Sequence, residues 1–332
     1  MRTASAAPNW LRGPTFDLAL IVGVLALALV LGGVATTDPD VFMWVLQLDL
    51  WLLAYPHVAS TFTRIALDRP AVRAHWFLLF GLPPLVFLAT ASAAWFGGVM
   101  ALNSVYFYWQ TWHYTRQSHG IARAYRRNAG RGPDRLDECV VYGFPLWGLL
   151  HRAHQQSPEF FAMPLWSPPV SGLVVAAVGV LVSAALLAWT LRQLRGGGAG
   201  RGHALFVLSH VLVTAVSYLA IADITRGWLF INIWHNAQYL LFVWLANARR
   251  FAGGFDPTRP FVSKLSQPAH VARYALVCAA LGGGFYYLLG HATAAVGATM
   301  LLPFVLVCHQ TVNFHHYVVD AVIWRSRKIT AP

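Results

Sequence analysis

The feature that most constrains the fold is a series of apolar runs, each about 20 residues long, that recurs along the chain. The hydrocarbon core of a bilayer is about 30 Å thick, and an α-helix crosses it with about 20 apolar residues. Of the 332 residues, 57% are hydrophobic and only 11% are charged. Ordinary soluble proteins have roughly 25% charged residues. The sequence therefore predicts an all-α fold, a polytopic integral membrane bundle.

We place about ten transmembrane helices in one transmembrane domain, near residues 16–34, 41–64, 75–95, 98–116, 137–153, 170–191, 203–222, 228–246, 271–289 and 292–324. The Gly-rich segment 192–202 is expected to form a flexible cytoplasmic linker. Segment 137–153 is short and contains Pro145, so whether it fully crosses stays open. If it crosses, both termini are cytoplasmic and all Lys and Arg except Arg152 and Arg226 lie inside, as the positive-inside rule favours.

The net charge of +12 comes mainly from arginines in short loops, as the positive-inside rule predicts. This pattern excludes nucleic acid as the partner and predicts membrane lipids as neighbours, in a bacterial-type cytoplasmic (inner) membrane. One loop region carries four arginines, Arg123, Arg126, Arg127 and Arg131. They favour contact with anionic lipid, and they also suit docking of an acidic cytoplasmic electron donor.

Polar side chains lie within the apolar runs, where they are costly and by default functional. In the last run, His309, Asn313, His316 and Asp320 fall on one helical face. The candidate metal ligands of the whole chain are His57, His113, His119, His235, His309, His315 and His316. The side chains expected to orient these ligands or to relay protons are Asp49, Gln110, Gln117, Asn232, Gln238, Asn313 and Asp320.

The depth of each histidine follows from its distance to the arginines at the cytoplasmic helix ends, at about 1.5 Å per residue. This count places His57, His113, His210 and the pair His315 and His316 in one layer, roughly 5–15 Å below the cytoplasmic surface. His235 and His309 lie deeper, nearer the middle of the bilayer. His119 lies just outside, on a helical extension. Several histidines are therefore expected to meet inside the bundle.

Neutral imidazole is the commonest metal ligand in proteins, and imidazoles with a carboxylate suit iron, zinc or copper. Asn, Gln, Tyr and Asp side chains can accept a hydrogen bond from the second ring nitrogen and so fix the tautomer. A cluster of five or more histidines with one or two carboxylates could hold one or two non-haem irons, and two are expected. Haem or another metal is the alternative cofactor.

Two segments, His113-x5-His119 near a cytoplasmic helix end and His309-x5-His315-His316, resemble parts of histidine-rich integral-membrane non-haem iron enzymes. These are the membrane desaturases, hydroxylases and alkane monooxygenases. Their HxxxH and HxxHH spacings are not present in this chain. The scattered intramembrane histidines are also similar to those of membrane carotene-cleaving dioxygenases. The resemblance implies an oxygen-dependent oxidoreductase that hydroxylates, desaturates or cleaves a lipophilic small-molecule substrate.

Two other functions fit the same residues. A proton-coupled transporter or channel would use Asp49, Asp320 and the histidines as a relay. A haem-binding membrane subunit would need paired histidines on facing helices. Individual residues also have plainer roles: Asp320 pairing with Arg325 or Arg327, and His210 bonding a carbonyl of a neighbouring helix.

Overall fold

The computed structural model describes residues 9–297 and 303–324, and most of them are helical. The helices are α1 (Pro14–Ala35), α2 (Pro39–Phe62), α3 (Arg69–Ala74), α4 (Phe77–Asn128), α5 (Arg135–Gln155), α6 (Gly172–Leu194), α7 (Arg201–Ala220), α8 (Ile224–Arg250), α9 (Pro260–Leu265), α10 (Val271–Gly297) and α11 (Phe304–Ile323). A 3₁₀ turn, Pro268–His270, leads into α10. One short antiparallel hairpin joins β1 (Glu159–Phe160) to β2 (Met163–Pro164).

Within the described residues, six helical segments are long and apolar enough to cross a membrane. They are α1, α2, α4, α6, α7 and the segment Pro268–Ala294, which includes most of α10. The prediction of an all-α chain is therefore confirmed for the described residues, and six of their helical segments could cross a membrane.

The longest helix, α4, has 52 residues and would extend about 78 Å at 1.5 Å per residue. A bilayer core is only about 30 Å thick. The helix is interrupted at Gly98, whose φ of 65° and ψ of −166° lie outside the helical region. Glycine adopts positive φ readily because it has no Cβ. The interruption lies at the first residue of the sequence-predicted range 98–116, next to the gap that follows the range 75–95.

Several observed boundaries differ from the predicted ones. Helix α10 continues to Gly297, beyond the predicted end at residue 289, and α11 begins at Phe304 rather than at residue 292. Pro303 immediately precedes α11, and proline suits a helix start because it lacks the N–H that would go unpaired there. The connection predicted at 192–202 is shorter, since α6 ends at Leu194 and α7 begins at Arg201.

In the part of the chain that the structure describes, four helical segments contain a π-helical stretch: Ala19–Gly23 in α1, Leu50–Ala54 in α2, Phe77–Gly81 in α4 and Val216–Ala220 in α7. A π-turn accommodates one more residue than the α-helical turn it replaces, and such turns are frequent at functional sites. The stretch in α2 lies between Asp49 and His57. It therefore sets the direction in which His57 points.

The described chain divides into two compact units. Unit 1 contains residues 9–43, Thr111–Pro158 and Ser167–Gln238. Unit 2 contains Trp44–Gln110, Glu159–Trp166, 239–297 and 303–324. The helices α2, α4 and α8 have residues in both units.

In unit 1, an ion-pair cluster joins the end of α4 to α5 and α6. Arg126 donates to Asp137 at 2.5 Å, and Arg192 donates to Asp134 at 2.7 Å and to Asp137 at 3.0 Å. His203, at the start of α7, lies 3.3 Å from Asp137. Buried charges of this kind are tolerated because each is paired and hydrogen-bonded.

In unit 2, one glycine allows two helices to pack closely, and one asparagine holds the β-hairpin against α4. A Cβ added at Gly282 would lie 2.3 Å from the carbonyl oxygen of Tyr55, so α2 and α10 approach this closely only because residue 282 is glycine. Asn103 is fully buried and its amide donates to the carbonyls of Phe160, Met163 and Pro164 at 3.0–3.2 Å. These bonds attach the β-hairpin to α4.

Candidate functional site

Unit 2 contains a direct contact between two buried histidines. His57 is on α2, one residue after Pro56, and His316 is on α11. Their Nε2 atoms lie 2.8 Å apart, and the ring planes are inclined at 74°. The two side chains are 3% and 1% exposed. The contact joins positions 259 residues apart in the sequence.

The geometry of this histidine pair, His57–His316, fits metal coordination. In this contact one Nε2 donates its proton to the other. Two imidazole nitrogens bound to one metal at about 2.0–2.1 Å, at right angles, would lie about 2.9 Å apart. The observed spacing is close to that value. Binding a metal would require the donating ring to change to its Nδ1–H tautomer.

A second set of polar groups lies beside His57. The Tyr239 ring centroid is 4.4 Å from that of His57. The Tyr239 hydroxyl donates to Asp320 Oδ1 and accepts from Thr61 Oγ1 at 3.2 Å. Trp324 Nε1 donates to Asp320 Oδ1 at 2.7 Å and lies 2.9 Å from the Tyr239 hydroxyl. This tyrosine–aspartate cluster consists of Tyr239, Asp320, Trp324 and Thr61.

The sequence predicts either a ligand role or a relay role for Asp320, or an ion pair with Arg325 or Arg327. Both arginines lie outside the described residues. Within the described chain the Asp320 carboxylate, 3% exposed, accepts hydrogen bonds from Tyr239 and Trp324. Neither of these two partners is a histidine.

Unit 1 contains a second pair of buried histidines. The ring centroids of His113, on α4, and His235, on α8, lie 5.3 Å apart. Tyr114 packs on His235 at 4.0 Å, and its hydroxyl donates to Asn232 Oδ1. Asn232 was expected to orient a histidine, and it accepts a hydrogen bond from the tyrosine that packs on His235. We call this the His113–His235 pair.

The other predicted ligands have different contacts. His315 Nε2 donates to the carbonyl of Leu78 at 2.7 Å, so that nitrogen is engaged. His309 packs against the Tyr286 ring at 5.5 Å. His119 Nε2 lies 3.4 Å from Glu138. His315 and His119 therefore each have one ring nitrogen directed at a carbonyl or a carboxylate.

The remaining polar residues of the prediction are buried or partly buried. Asp49, Gln110 and Gln117 are each less than 8% exposed. Gln238 donates to the carbonyl of Leu20 at 3.5 Å, and Asn313 donates to Gln310 at 3.1 Å. Each of these two hydrogen bonds gives a side-chain amide a partner, as buried polar groups require.

His210, for which the sequence suggested a hydrogen bond to a neighbouring helix, makes such a contact. Its Nε2 lies 3.0 Å from the carbonyl oxygen of Val141 on α5. The arginine cluster also differs from the prediction, because Arg126 forms ion pairs with Asp137 and Asp134. Of the four arginines predicted to face a partner, Arg127 and Arg131 are exposed.

Sequence reasoning missed the contributions of Thr61, Tyr114 and Trp324. Thr61 follows His57 by four residues, and Trp324 follows Asp320 by four, so each lies on the same helical face as a residue already singled out. That spacing was a usable signal. Arg64 also belongs near this region, since its guanidinium lies 4.6 Å from the Trp324 ring centroid, and burial lowers the pKa of Arg64 to about 10.

An apolar cleft of about 510 Å³ lies in unit 2. Met100, Ser104, Tyr108 and Trp109 of α4 form one wall, and Trp166, after the β-hairpin, contributes the other. The Trp109 ring stacks on Phe314 at 4.9 Å, two residues before His316. Trp109, which lines the cleft, therefore contacts the helix that carries His316.

Comparison with protein-family models, with curated proteins and with solved structures gives no match. What the chain does must therefore be argued from its own residues.

Proposed function

We propose that the protein is a membrane-embedded, metal-dependent oxidoreductase that uses oxygen to hydroxylate, desaturate or cleave a lipid-soluble substrate. The observation that carries the proposal is the 2.8 Å approach of His57 Nε2 to His316 Nε2 inside an apolar helical protein. Two neutral imidazoles at this spacing chelate a metal with little rearrangement.

The proposed membrane topology has ten crossings, with both termini in the cytoplasm of a bacterial-type inner membrane. Six segments meet the length and hydropathy requirement. The interruption at Gly98 divides α4 into two crossings. The remaining three are α5, α8 and α11, whose polar faces lower their hydropathy. Helix α5 has 21 residues, about 32 Å, which is enough to cross.

The metal ligands of the proposal are taken from the two histidine pairs, His57–His316 and His113–His235. Imidazole suits iron, and a site with few protein ligands leaves coordination positions for oxygen and substrate. We propose non-haem iron, with two ions per chain as the upper expectation. Tyr239 and Asp320 would act beside the His57–His316 pair through hydrogen bonds and proton transfer.

Haem is a poorer fit to the His57–His316 pair. In a haem with two axial histidines the ligand nitrogens lie on opposite sides of the iron, about 4 Å apart for bonds of about 2 Å. The observed 2.8 Å between the Nε2 atoms leaves no room for a porphyrin between them.

The proposed substrate is a hydrophobic molecule that enters from the bilayer. The apolar cleft supports this, because its volume lies within the roughly 300–1,000 Å³ typical of small-molecule sites. For hydroxylation the balance is one C–H bond, one O₂, two electrons and two protons, giving an alcohol and one water. The electrons would come from an acidic cytoplasmic donor protein docking on Arg127, Arg131 and neighbouring cations.

The test is the metal content of the protein purified in detergent without added chelator. Elemental analysis is expected to find one to two irons per chain, and the absorption spectrum is expected to have no Soret band. A Soret band would instead favour a haem-binding subunit. Absence of any transition metal, even after reconstitution with Fe²⁺, would refute the proposal and leave a proton-coupled transporter, for which buried Asp320 would be the relay group.

A further inference from the structure

Aromatic rings form a continuous path from the end of α11 to the His57–His316 pair. Trp324, the residue after α11, has its ring centroid 6.2 Å from that of Tyr239. Tyr239 lies 4.4 Å from His57, and His57 lies 4.8 Å from His316. Each ring is therefore near van der Waals distance of the next. Trp324 is partly exposed, whereas the three rings after it are buried.

The Tyr239 hydroxyl has a proton acceptor in place. It donates to Asp320 Oδ1, while Thr61 Oγ1 and Trp324 Nε1 donate toward the phenol oxygen. A tyrosine loses an electron far more readily when its proton can pass at the same time to a base. The Asp320 carboxylate is such a base, and no movement of either side chain is needed.

The charges around this path suit a change of oxidation state. The Arg64 guanidinium lies over the Trp324 ring at 4.6 Å, close to the Asp320 carboxylate that Trp324 contacts. The positive charge offsets the carboxylate while it is ionised. When Asp320 takes the Tyr239 proton, the phenol becomes neutral phenoxyl, so no net charge is created on the tyrosine in the low-dielectric interior.

We propose that Tyr239 is a redox-active tyrosine that passes electrons from the cytoplasmic side to a transition-metal ion at the His57–His316 pair. This inference rests on the proposed function, since it needs that metal. In the first step the Tyr239 O–H bond breaks, the proton goes to Asp320, and the electron goes through His57 to the metal, which oxygen or peroxide has oxidised above its ferric state. The metal is reduced by one electron, and Tyr239 becomes a neutral phenoxyl radical.

In the second step the radical is reduced by one electron that enters through Trp324 from a one-electron donor protein. The proton returns from Asp320 to the phenol oxygen. The net reaction is transfer of one electron from the donor to the metal, and both side chains end in their starting states. Tyr239 thus acts on the reacting centre, whereas Asp320 acts through Tyr239 as its proton acceptor.

The experiment uses the full-length, iron-loaded protein in detergent, with hydrogen peroxide as oxidant and dithionite as reductant. Freeze-quenched electron paramagnetic resonance is expected to detect a tyrosyl radical, identified by the altered line shape with ring-deuterated tyrosine. Stopped-flow spectroscopy follows re-reduction of the metal. Tyr239→Phe is expected to abolish the radical and to slow re-reduction at least about tenfold, while iron content stays at the wild-type value.

Two further variants separate a redox role from a packing role. Asp320→Asn keeps the size of the side chain but removes the proton acceptor, so re-reduction is expected to slow and to lose its solvent deuterium isotope effect. Tyr274→Phe is the matched control, because Tyr274 is also fully buried in unit 2 and its hydroxyl contacts Thr63 at 2.9 Å. It is expected to leave both the radical and the rate unchanged.

The inference is overturned if iron binds but Tyr239→Phe re-reduces at the wild-type rate. A slower variant rate without any tyrosyl radical in the wild type also overturns it, because Tyr239 would then act only through hydrogen bonds. Protein that binds no metal refutes the proposed function itself, and the inference with it.

Discussion

At the scale of single residues, the contacts divide seven predicted histidine ligands into two groups. His57, His316, His113 and His235 are buried and lie in imidazole pairs. His315 and His119 each have one ring nitrogen directed at a carbonyl or carboxylate, and His309 packs on a tyrosine. The depth estimate from sequence placed His57 and His316 at one level, but it had no means of separating His316 from its neighbour His315.

The first prediction concerns the paired histidines. His57→Ala and His316→Ala are each expected to remove most bound iron, because a chelating pair becomes a single ligand. The loss in affinity should exceed the about 10–100-fold typical of removing an outer hydrogen-bond partner. His113→Ala is expected to lower iron content as well. Elemental analysis of each purified variant measures this.

His151→Ala is the control for these variants, since His151 is half-buried near the end of α5 and belongs to neither pair. Its iron content should equal that of the wild type. Equal iron in the control and in the three pair variants would contradict the assignment of the ligands.

At the scale of helices, the apolar runs and arginine positions predicted most elements, because both signals are local. The interruption near residue 98 was predictable for the same reason. The β-hairpin was not, since its turn residues Phe161 and Ala162 have φ of 54° each, a conformation that neither residue favours. It is held by Asn103, which lies 57 residues earlier than Phe160. Contacts between such distant positions depend on packing and not on local sequence.

A second prediction tests the close approach of α2 and α10. Gly282→Ala would place a methyl group 2.3 Å from the Tyr55 carbonyl oxygen, so the helices must separate. Overpacking of this kind costs about 1–3 kcal/mol. The thermal unfolding midpoint in detergent should fall. Gly284→Ala, where an added Cβ meets nothing within 4 Å, should leave the midpoint unchanged or raise it.

A third prediction concerns the ion-pair cluster at the start of α5. Burial opposes ionisation of Asp134, but hydrogen bonds from Arg192 and from the Asp137 backbone N–H outweigh it, so the pKa of Asp134 is below its ordinary 3.8. A carboxyl with a lowered pKa in the folded state stabilises the fold above its unfolded-state pKa. That stabilisation is lost as the pH falls through the lowered value.

The corresponding measurement compares Asp134→Asn with the wild type across acidic pH. Asn still caps a helix N-terminus, so the variant removes the charge and keeps the cap. The wild-type unfolding midpoint should fall more steeply than that of the variant below about pH 4. Parallel curves for the two proteins would show that Asp134 ionisation does not stabilise the fold.

At the scale of the whole molecule, the ten-crossing topology depends on whether α5 crosses the bilayer. Cys139, near the start of α5, is exposed, and Ser157 follows the other end of the helix. A membrane-impermeant maleimide should label Cys139 in inverted vesicles only. Ser157→Cys, combined with Cys139→Ser, should be labelled in spheroplasts only. Labelling of both positions from one side would contradict a crossing α5 and the orientation derived from it.

The π-helical stretch Leu50–Ala54 has a consequence for how a chain of this kind tolerates insertions and deletions. Each residue of an α-helix turns the chain by about 100°. Deleting one residue between 50 and 54 would convert the π-turn to a regular turn and leave a continuous helix in which His57 keeps its direction relative to Asp49. A regular α-helix of unchanged length would instead rotate His57 by about 100° relative to Asp49, away from His316. A homologue of the same length without the π-turn would keep every histidine in its sequence and still lack the pair.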